Sequence, residues 1–454
     1  MRGKSNKLSL MGRRRFMDTL AKLGMSGGVA ANISKEELKE LTDDPTDRVP
    51  RVEYYNLSNA EEYNNPPFPD RPGERVANYY TIPRDKWIVV ETAFDAAERI
   101  QKKIDAIEDS KLISSSVDVN GRGKNEEYSV VVNYDISVPG SIDGEKDMDP
   151  SEIDEIKTLD GVRSPDIDLS EIMRKVPETT EGSIGHESVE NASRDDIPVR
   201  FESNIVANDA CSDEDCHNTD GSDERFYEES YDYGYSLRGT GCSISIEESG
   251  WFGYSSSGSL GPRIQRDSEE DVGFLTNGHI TYDTDDESSS DGEGRSVYQY
   301  DDDKIGEVGE IKHDGDWDIA FIEMEDGVNA GSQLSDIGGG FSGALGSEIV
   351  GEDWLKDQEY TGNICQQGRR TGRCEHSVGQ INDNVTPMRI ELIRANDQED
   401  GDGDSGGPYF YNDGDIDNMR VVGLHRASLT QGTHPRSVGN YIGDIEEEMD
   451  YTIV

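Results

Sequence analysis

The chain has 454 residues and carries 96 Asp and Glu against 44 Lys and Arg, a formal net charge of −52. A surface this negative repels polyanions, which argues against nucleic acid as a partner. No run of 18 apolar residues occurs, so a membrane-spanning helix is excluded. Two readings fit the acidity: a disordered acidic chain, or a folded protein adapted to molar salt. At about 1 M salt the screening length shrinks to ~3 Å and self-repulsion largely disappears. The acidic excess runs along the whole chain, and short apolar runs recur between the acidic stretches. The chain therefore reads as a salt-adapted, haloarchaeal-looking protein that is folded over at least part of its length. Five cysteines are too few for a disulfide scaffold but allow one or two local bridges, which suits an oxidising compartment.

The first ten residues hold Arg2, Lys4 and Lys7 and no acid, and Arg13-Arg14-Arg15-Phe16-Met17 follows. A paired arginine ahead of a large apolar residue resembles the core of a twin-arginine export signal. The Gly- and Ala-containing stretch Thr19 to Ala31 resembles its mildly apolar part, with Asp18 and Lys22 as departures. Residues 1–35 are accordingly read as an export signal, with an extracellular or cell-surface destination. A basic amphipathic helix at a flexible end is the alternative.

Residues 36–136 read as a small α+β module. Trp87, Val90, Ala93, Phe94, Ala97, Ile100, Ile104 and Ile107 recur at helical spacing, with Pro83 near the start, where a helix tolerates it. Leu112–Val119 and Tyr128–Ile136 read as two strands joined by the turn-like Asn120-Gly121-Arg122-Gly123. Residues 137–235 are rich in Asp, Glu and Ser, with one possible strand at Ile197–Phe201, and most of that stretch reads as an acidic, loosely ordered spacer. Together, 36–235 would serve as a pro-segment or folding aid, or as a surface-interaction module. From 236 onward short strand-like runs recur between Gly, Asp and Asn: Cys242–Ile246, Gly273–Thr276, Val297–Tyr300, Asp318–Met324, Val378–Ile381, Met388–Ile393, Pro408–Tyr411 and Val421–His425. That spacing predicts an all-β barrel or sandwich, closed by a terminal helix through Tyr441, Ile442, Ile445 and Met449.

The strongest local signal is Gly403-Asp404-Ser405-Gly406-Gly407-Pro408. A serine nucleophile needs a tight turn to present its hydroxyl and nearby backbone N–H groups to hold an oxyanion, and glycines on both sides allow both. All six residues match the nucleophile motif of trypsin-like (chymotrypsin-fold) serine proteases, which the segment resembles. The resemblance implies two six-stranded β-barrels over 236–454, Ser405 as nucleophile, and the N–H groups of Gly403 and Ser405 as the oxyanion hole. Asp404 would support the loop. A calcium loop starting at Asp400 would need Gly and Glu where Ser405 and Tyr411 stand, so it fails in detail. A plain Gly-Asp surface turn is the blander alternative.

Seven histidines limit the choice of general base. His186 and His217 lie in the spacer, and His313, His376 and His434 lack an apolar strand leading in. His279 ends the run Gly273-Phe274-Leu275-Thr276-Asn277-Gly278-His279, which resembles the segment before the general-base His of this family. Ile280 stands where the family usually has Cys, which leaves Cys242 without its usual partner. Asp318, directly before Ile319-Ala320-Phe321-Ile322, fits the family's Asp-Ile-Ala-apolar pattern, and Asp316 does not. The order His279, Asp318, Ser405 is that of chymotrypsin-like enzymes. Cys365-Gln366-Gln367-Gly368-Arg369-Arg370-Thr371-Gly372-Arg373-Cys374 resembles a segment of the streptogrisins and alpha-lytic protease, and that resemblance implies a Cys365–Cys374 disulfide. Cys211, Cys216 and His217 could be read as a metal site, with a small local disulfide or two free thiols as readings of at least equal weight.

Val421-Val422-Gly423-Leu424-His425-Arg426 takes the place of the strand lining the primary specificity pocket, and glutamyl endopeptidases have a His at the position of His425. His425 and Arg426 together point to an acidic P1 residue, although Arg426 replaces the family's usual Ser; a satisfied core histidine at 425 is the equal alternative. Glu399, six residues before Ser405, stands where a pocket for basic P1 holds an Asp, a coincidence with no weight in so acidic a chain. The expected function is an exported serine endopeptidase acting on protein or peptide substrates, needing no metal or organic cofactor. A catalytically inactive protease-like domain that binds partners at the cell surface is the alternative, and a calcium-dependent structural protein is a third. Sequons at Asn56, Asn191 and Asn384 allow glycosylation.

Overall fold

A computed structural model describes residues 48–63, 68–107, 112–119, 128–138, 162–165, 167, 169–186, 189–208, 237–240, 243–247, 254–266, 272–281, 292–299, 303–313, 316–325, 328–336, 340–357, 364–368, 372–394, 404–431 and 434–454. The export-signal reading, Cys211, Cys216, Cys242, Glu399 and Gly403 lie outside them.

The N-terminal elements are β1 (Arg48–Leu57), β2 (Arg75–Pro83), α1 (Arg84–Asp105), β3 (Ile113–Asp118), β4 (Ser129–Val138), α2 (Leu169–Lys175), β5 (Thr179–His186) and β6 (Val189–Asn208). The apolar stripe expected for α1 is its buried face, from Trp87 through Ile104. It packs on the β3–β4 hairpin, where the Ser115 hydroxyl donates to the Ala97 carbonyl at 2.8 Å.

The remaining strands are β7 (Leu237–Thr240), β8 (Ser243–Glu247), β9 (Tyr254–Ser259), β10 (Arg263–Arg266), β11 (Val272–Thr276), β12 (Ser296–Gln299), β13 (Asp303–Lys312), β14 (Ile319–Met324), β15 (Asn329–Asp336) and β16 (Gly340–Val350). After the short helix α3 (Glu352–Lys356) come β17 (Ile364–Gly368), β18 (Gly372–Asn382), β19 (Arg389–Arg394), β20 (Pro408–Tyr411), β21 (Met419–Gln431) and β22 (His434–Tyr441). Helix α4 (Ile442–Met449) and β23 (Tyr451–Ile453) end the chain.

These strands form two sheets. The eight-stranded one runs β23-β10-β11-β14-β13-β12-β8-β9 over a core that includes Ile246, Phe274, Ile280, Val297, Ile305 and Ile322. The fifteen-stranded one contains β15 to β22 and also β1 to β6. The fold is thus mainly β and two-sheeted, with the expected terminal helix. Sequence neighbours pair as antiparallel hairpins at β17–β18, β18–β19, β20–β21 and β21–β22.

The N-terminal elements extend this second sheet. Tyr54 and Tyr55 of β1 face Val350 and Ile349 of β16, and Val117 and Asp118 of β3 face Ile381 and Gln380 of β18. Strand β6 runs parallel to β4 and then pairs antiparallel with β21, Ile205 to Asn208 facing Thr430 to Ala427. One core cluster accordingly holds Ile100, Val130 and Ile136 together with Leu345, Val421 and Leu424.

The spacer reading of 137–235 therefore does not hold at 169–186 and 189–208, which carry α2, β5 and a 20-residue strand. The physical reason lies in the partners. Polar residues of β6 that look solvated have partners on other elements: Asn204 is buried on Asp135 at 2.8 Å, Glu202 pairs with the buried Arg436, and the partly exposed Arg200 pairs with the buried Asp118. A buried ionic layer lies between β6 and the β18–β19–β22 strands, with Arg436 3.0 Å from Glu391 and 3.2 Å from Glu202. Asn384 is also engaged, donating its amide to the Ser115 carbonyl at 3.2 Å.

Candidate active site

Two strand ends and one turn build the site. Strands β11 and β14 pair with Thr276 facing Ala320, so the residue three past Thr276 and the residue two before Ala320 emerge together. These are His279, in a 3-10 turn over Gly278–Ile280, and Asp318. The Asn277 amide donates to the Asp318 carbonyl at 2.9 Å and the Thr281 hydroxyl to the Gly278 carbonyl at 2.6 Å, which locks the turn.

Asp318 is buried. Its Oδ1 accepts the backbone N–H of His279 at 2.8 Å, and its Oδ2 lies 2.6 Å from the ring Nδ1 of the same residue. Burial pushes this carboxyl up, but the His279 ring, the His313 ring and the Arg426 guanidinium outweigh it and hold the group well below the usual carboxylate range. An ionised carboxylate only accepts, so it selects the tautomer with a proton on Nδ1 and leaves Nε2 as an acceptor.

Ser405 reaches that acceptor from the second sheet. Its turn precedes β20, with the Gly406 N–H on the His425 carbonyl at 3.0 Å and the His425 N–H on the Gly407 carbonyl at 2.8 Å. The Ser405 carbonyl takes the Ser259 N–H at 2.8 Å, tying the turn to β9. Gly406 has φ +89°, and a Cβ there would collide with Thr276 Oγ1 and the Ser259 carbonyl, so only glycine fits. The Ser405 Oγ lies 3.0 Å from His279 Nε2 and 3.2 Å from the Arg426 carbonyl, two acceptors for one hydroxyl proton.

His279, Asp318 and Ser405 are thus brought together. Asp404 is buried against Gly368 of β17. Gly403 lies outside the described residues, and of the expected oxyanion pair only Ser405 is described.

Two expectations need correction. Arg426 does not act beside His425 as the acidic-P1 reading expects. The β21–β22 register shifts between His425 and Ala427, and Arg426, the residue in the shift, turns its guanidinium to Asp318, with Nε 3.4 Å from Oδ2. His425 is fully buried, with Nδ1 2.8 Å from the Tyr409 hydroxyl. The second correction concerns Cys365 and Cys374. Cys365 faces Glu375, and Cys374 faces Gln366. Cross-strand partners share a face and neighbours alternate, so the two positions are one residue out of step for a disulfide. The side chain at 374 lies outside the described residues, and the bridge is unsupported.

His313, set aside for its polar surroundings, stands at the site with Nδ1 3.1 Å from Asp318 Oδ1. Its sequence signal was slight: it closes β13, the strand paired with β14. Among the described residues no group of three or more His, Cys, Asp or Glu is arranged to hold a metal ion, and no helix is long and apolar enough to cross a membrane.

No family model and no curated protein matches the chain. Among solved structures it is similar to a Nocardiopsis protease, with 15% identity and a TM-score of 0.33, over 48% of this chain and 98% of that one. A Cellulomonas bogoriensis chymotrypsin shows 18% identity and a TM-score of 0.33 over 48% and 98%. A glutamic acid specific serine protease that uses a histidine triad in substrate binding shows 14% and 0.33 over 48% and 100%. Likeness of this size carries no argument about activity. Two largely antiparallel sheets meet at the buried Ser405, His279 and Asp318.

Proposed function

We propose that the chain is an exported serine endopeptidase working in high salt, with Ser405 as nucleophile, His279 as general base and then acid, and Asp318 as the group that orients His279. The observation that carries this reading is the continuous contact from Asp318 Oδ2 through His279 to Ser405 Oγ, at 2.6 and 3.0 Å. Ser405 Oγ bonds to the substrate carbonyl carbon as its proton passes to Nε2. The same proton then goes to the departing amine as the C–N bond breaks, and a water repeats the cycle on the acyl-enzyme. The N–H groups of Ser405 and Gly403 hold the oxyanion in this reading.

Residues 427–430 of β21 pair with β22 on one side and β6 on the other, so a peptide substrate adds to that edge as a strand only where β6 leaves it. The chain's own Ile205–Asn208 pairs with that edge. On this ground residues 36–235 are read as a pro-segment or folding aid that also covers the substrate edge. Preference for an acidic P1 residue loses Arg426, which is directed to Asp318, and His425, buried against the Tyr409 hydroxyl, fits the core-histidine alternative. The export route is read from Arg13 to Met17 and the salt adaptation from the charge of −52.

Labelling of the full chain with a fluorophosphonate in molar salt tests the reading. Wild type is expected to label and Ser405→Ala not to. Equal labelling of the two, or none of a folded wild type, sinks it.

A further inference from the structure

Asp318 receives more donors than a dyad with His279 requires. The charged and titratable groups against it are His279 from the turn after β11, His313 from the end of β13, and Arg426 from β21. Asp316 contributes its backbone carbonyl, which accepts from Arg426 Nη1 at 3.2 Å and from the Asn440 amide at 3.3 Å. Lys312, beside His313, lies instead over the Trp317 ring, 4.1 Å from its centroid. Ser405 faces the other side of the imidazole.

Arg426 is the residue that touches both ends of this chain of contacts. Its carbonyl lies 3.2 Å from Ser405 Oγ, and its Nε lies 3.4 Å from the Asp318 oxygen that faces Nδ1 of His279. The irregularity in β21 makes this double reach possible, since a bulge bends the strand locally and re-aims one side chain. The Asp316 carbonyl then holds the guanidinium in place.

We propose that Arg426 is a positioning residue whose guanidinium shares the Asp318 carboxylate with His279, so that Asp318 holds the His279 imidazolium less strongly than it would alone. The proposal rests on the serine-hydrolase reading for its role in catalysis, but not for its electrostatics. A cation beside a carboxylate cancels part of the negative potential that stabilises the imidazolium. Removing it makes His279 the stronger base. The Arg426 side chain is 27% exposed, so solvent weakens the effect. A shift on the order of half to one pH unit is expected, which is about a 3- to 10-fold loss of Ser405 reactivity on the acid side.

The test titrates the His279 ring by NMR in the full chain, with His279→Gln to assign its signals, and follows the fluorophosphonate rate against pH. In Arg426→Met the His279 midpoint and the acid limb of labelling are both expected to move up by that amount. Arg426→Lys, which keeps the charge, is expected to stay nearer wild type. The Arg426→Met shift should persist in a His313→Gln background. Should Arg426→Met not fold, Arg426→Gln carries the same comparison. An unmoved midpoint, an equal shift in Arg426→Lys, or a shift that vanishes without His313 overturns the proposal. A folded wild type that never labels would count against the hydrolase reading, while the NMR midpoints still decide the role of Arg426.

Discussion

Nδ1 of His279 and Oδ2 of Asp318 stand 2.6 Å apart with both side chains buried, and Oδ1 of that carboxylate takes the backbone N–H of His279. The ring is therefore held through its own nitrogen and through its main chain. Asp318→Asn keeps the shape but loses the charge, and it can turn an N–H toward Nδ1, which selects the wrong tautomer. The fluorophosphonate labelling rate is expected to fall about 10³- to 10⁴-fold. A loss below tenfold would remove Asp318 from the machinery.

The same carboxylate makes a pH prediction. Its folded pKa is depressed, so it adds stability above the unfolded value of about 3.9, and that stability is lost as pH falls through the lower folded value. Melting temperatures of wild type are expected to drop more steeply below about pH 4 than those of Asp318→Asn. Parallel curves would show that the carboxylate's environment contributes nothing.

Gly406 combines φ +89° with close approach to Thr276 and Ser259. Gly406→Ala is expected to cost about 1–3 kcal/mol in denaturant titration, and to abolish labelling by displacing Ser405. An unchanged midpoint with full labelling would mean that the turn has room to relax.

Arg436 is 1% exposed and lies between Glu391 and Glu202, joining β22 to β19 and β6. Removing one member of a buried ion pair leaves an uncompensated charge. Arg436→Met is expected to lose about 3–5 kcal/mol, and Arg436→Met with Glu391→Gln to recover part of it. Simple additivity of the two changes would argue against coupling.

Because β1, β3 and β6 complete the sheet that carries Ser405, residues 236–454 produced alone would expose the edges of β16, β18 and β21. They are expected to fail to reach a labelling-competent state in molar salt. Adding residues 36–208 in trans is expected to restore it. Efficient folding of 236–454 alone would show that the shared core is dispensable.

Legibility followed the density of apolar and motif residues. Helix α1, the β3–β4 hairpin, β11, β14 and β20 stand on local apolar spacing, and each lies within a residue or two of the expected place. Strands β9, β13, β15, β16 and β22 escaped notice because Ser, Gly and charged residues fill them, as in Tyr254–Ser259, and β23 because it is only three residues long. Strand β6 was legible only at Ile197–Phe201, for a related reason: Arg200, Glu202 and Asn204 find partners on other elements, and a satisfied charge has the same letter as a solvated one.

By itself the sequence determined the net charge of −52, the mainly β character of 236–454, and the choice of His279, Asp318 and Ser405, because each of these three sits in a short motif of unusual residues. Only the tertiary structure decided where Arg426 and His313 point, and that the acidic middle of the chain supplies a central strand. Those depend on a register shift in β21 and on ion pairs between residues more than a hundred positions apart, such as Glu202 and Arg436. No local pattern encodes them, since an arginine's partner is set by which strands meet.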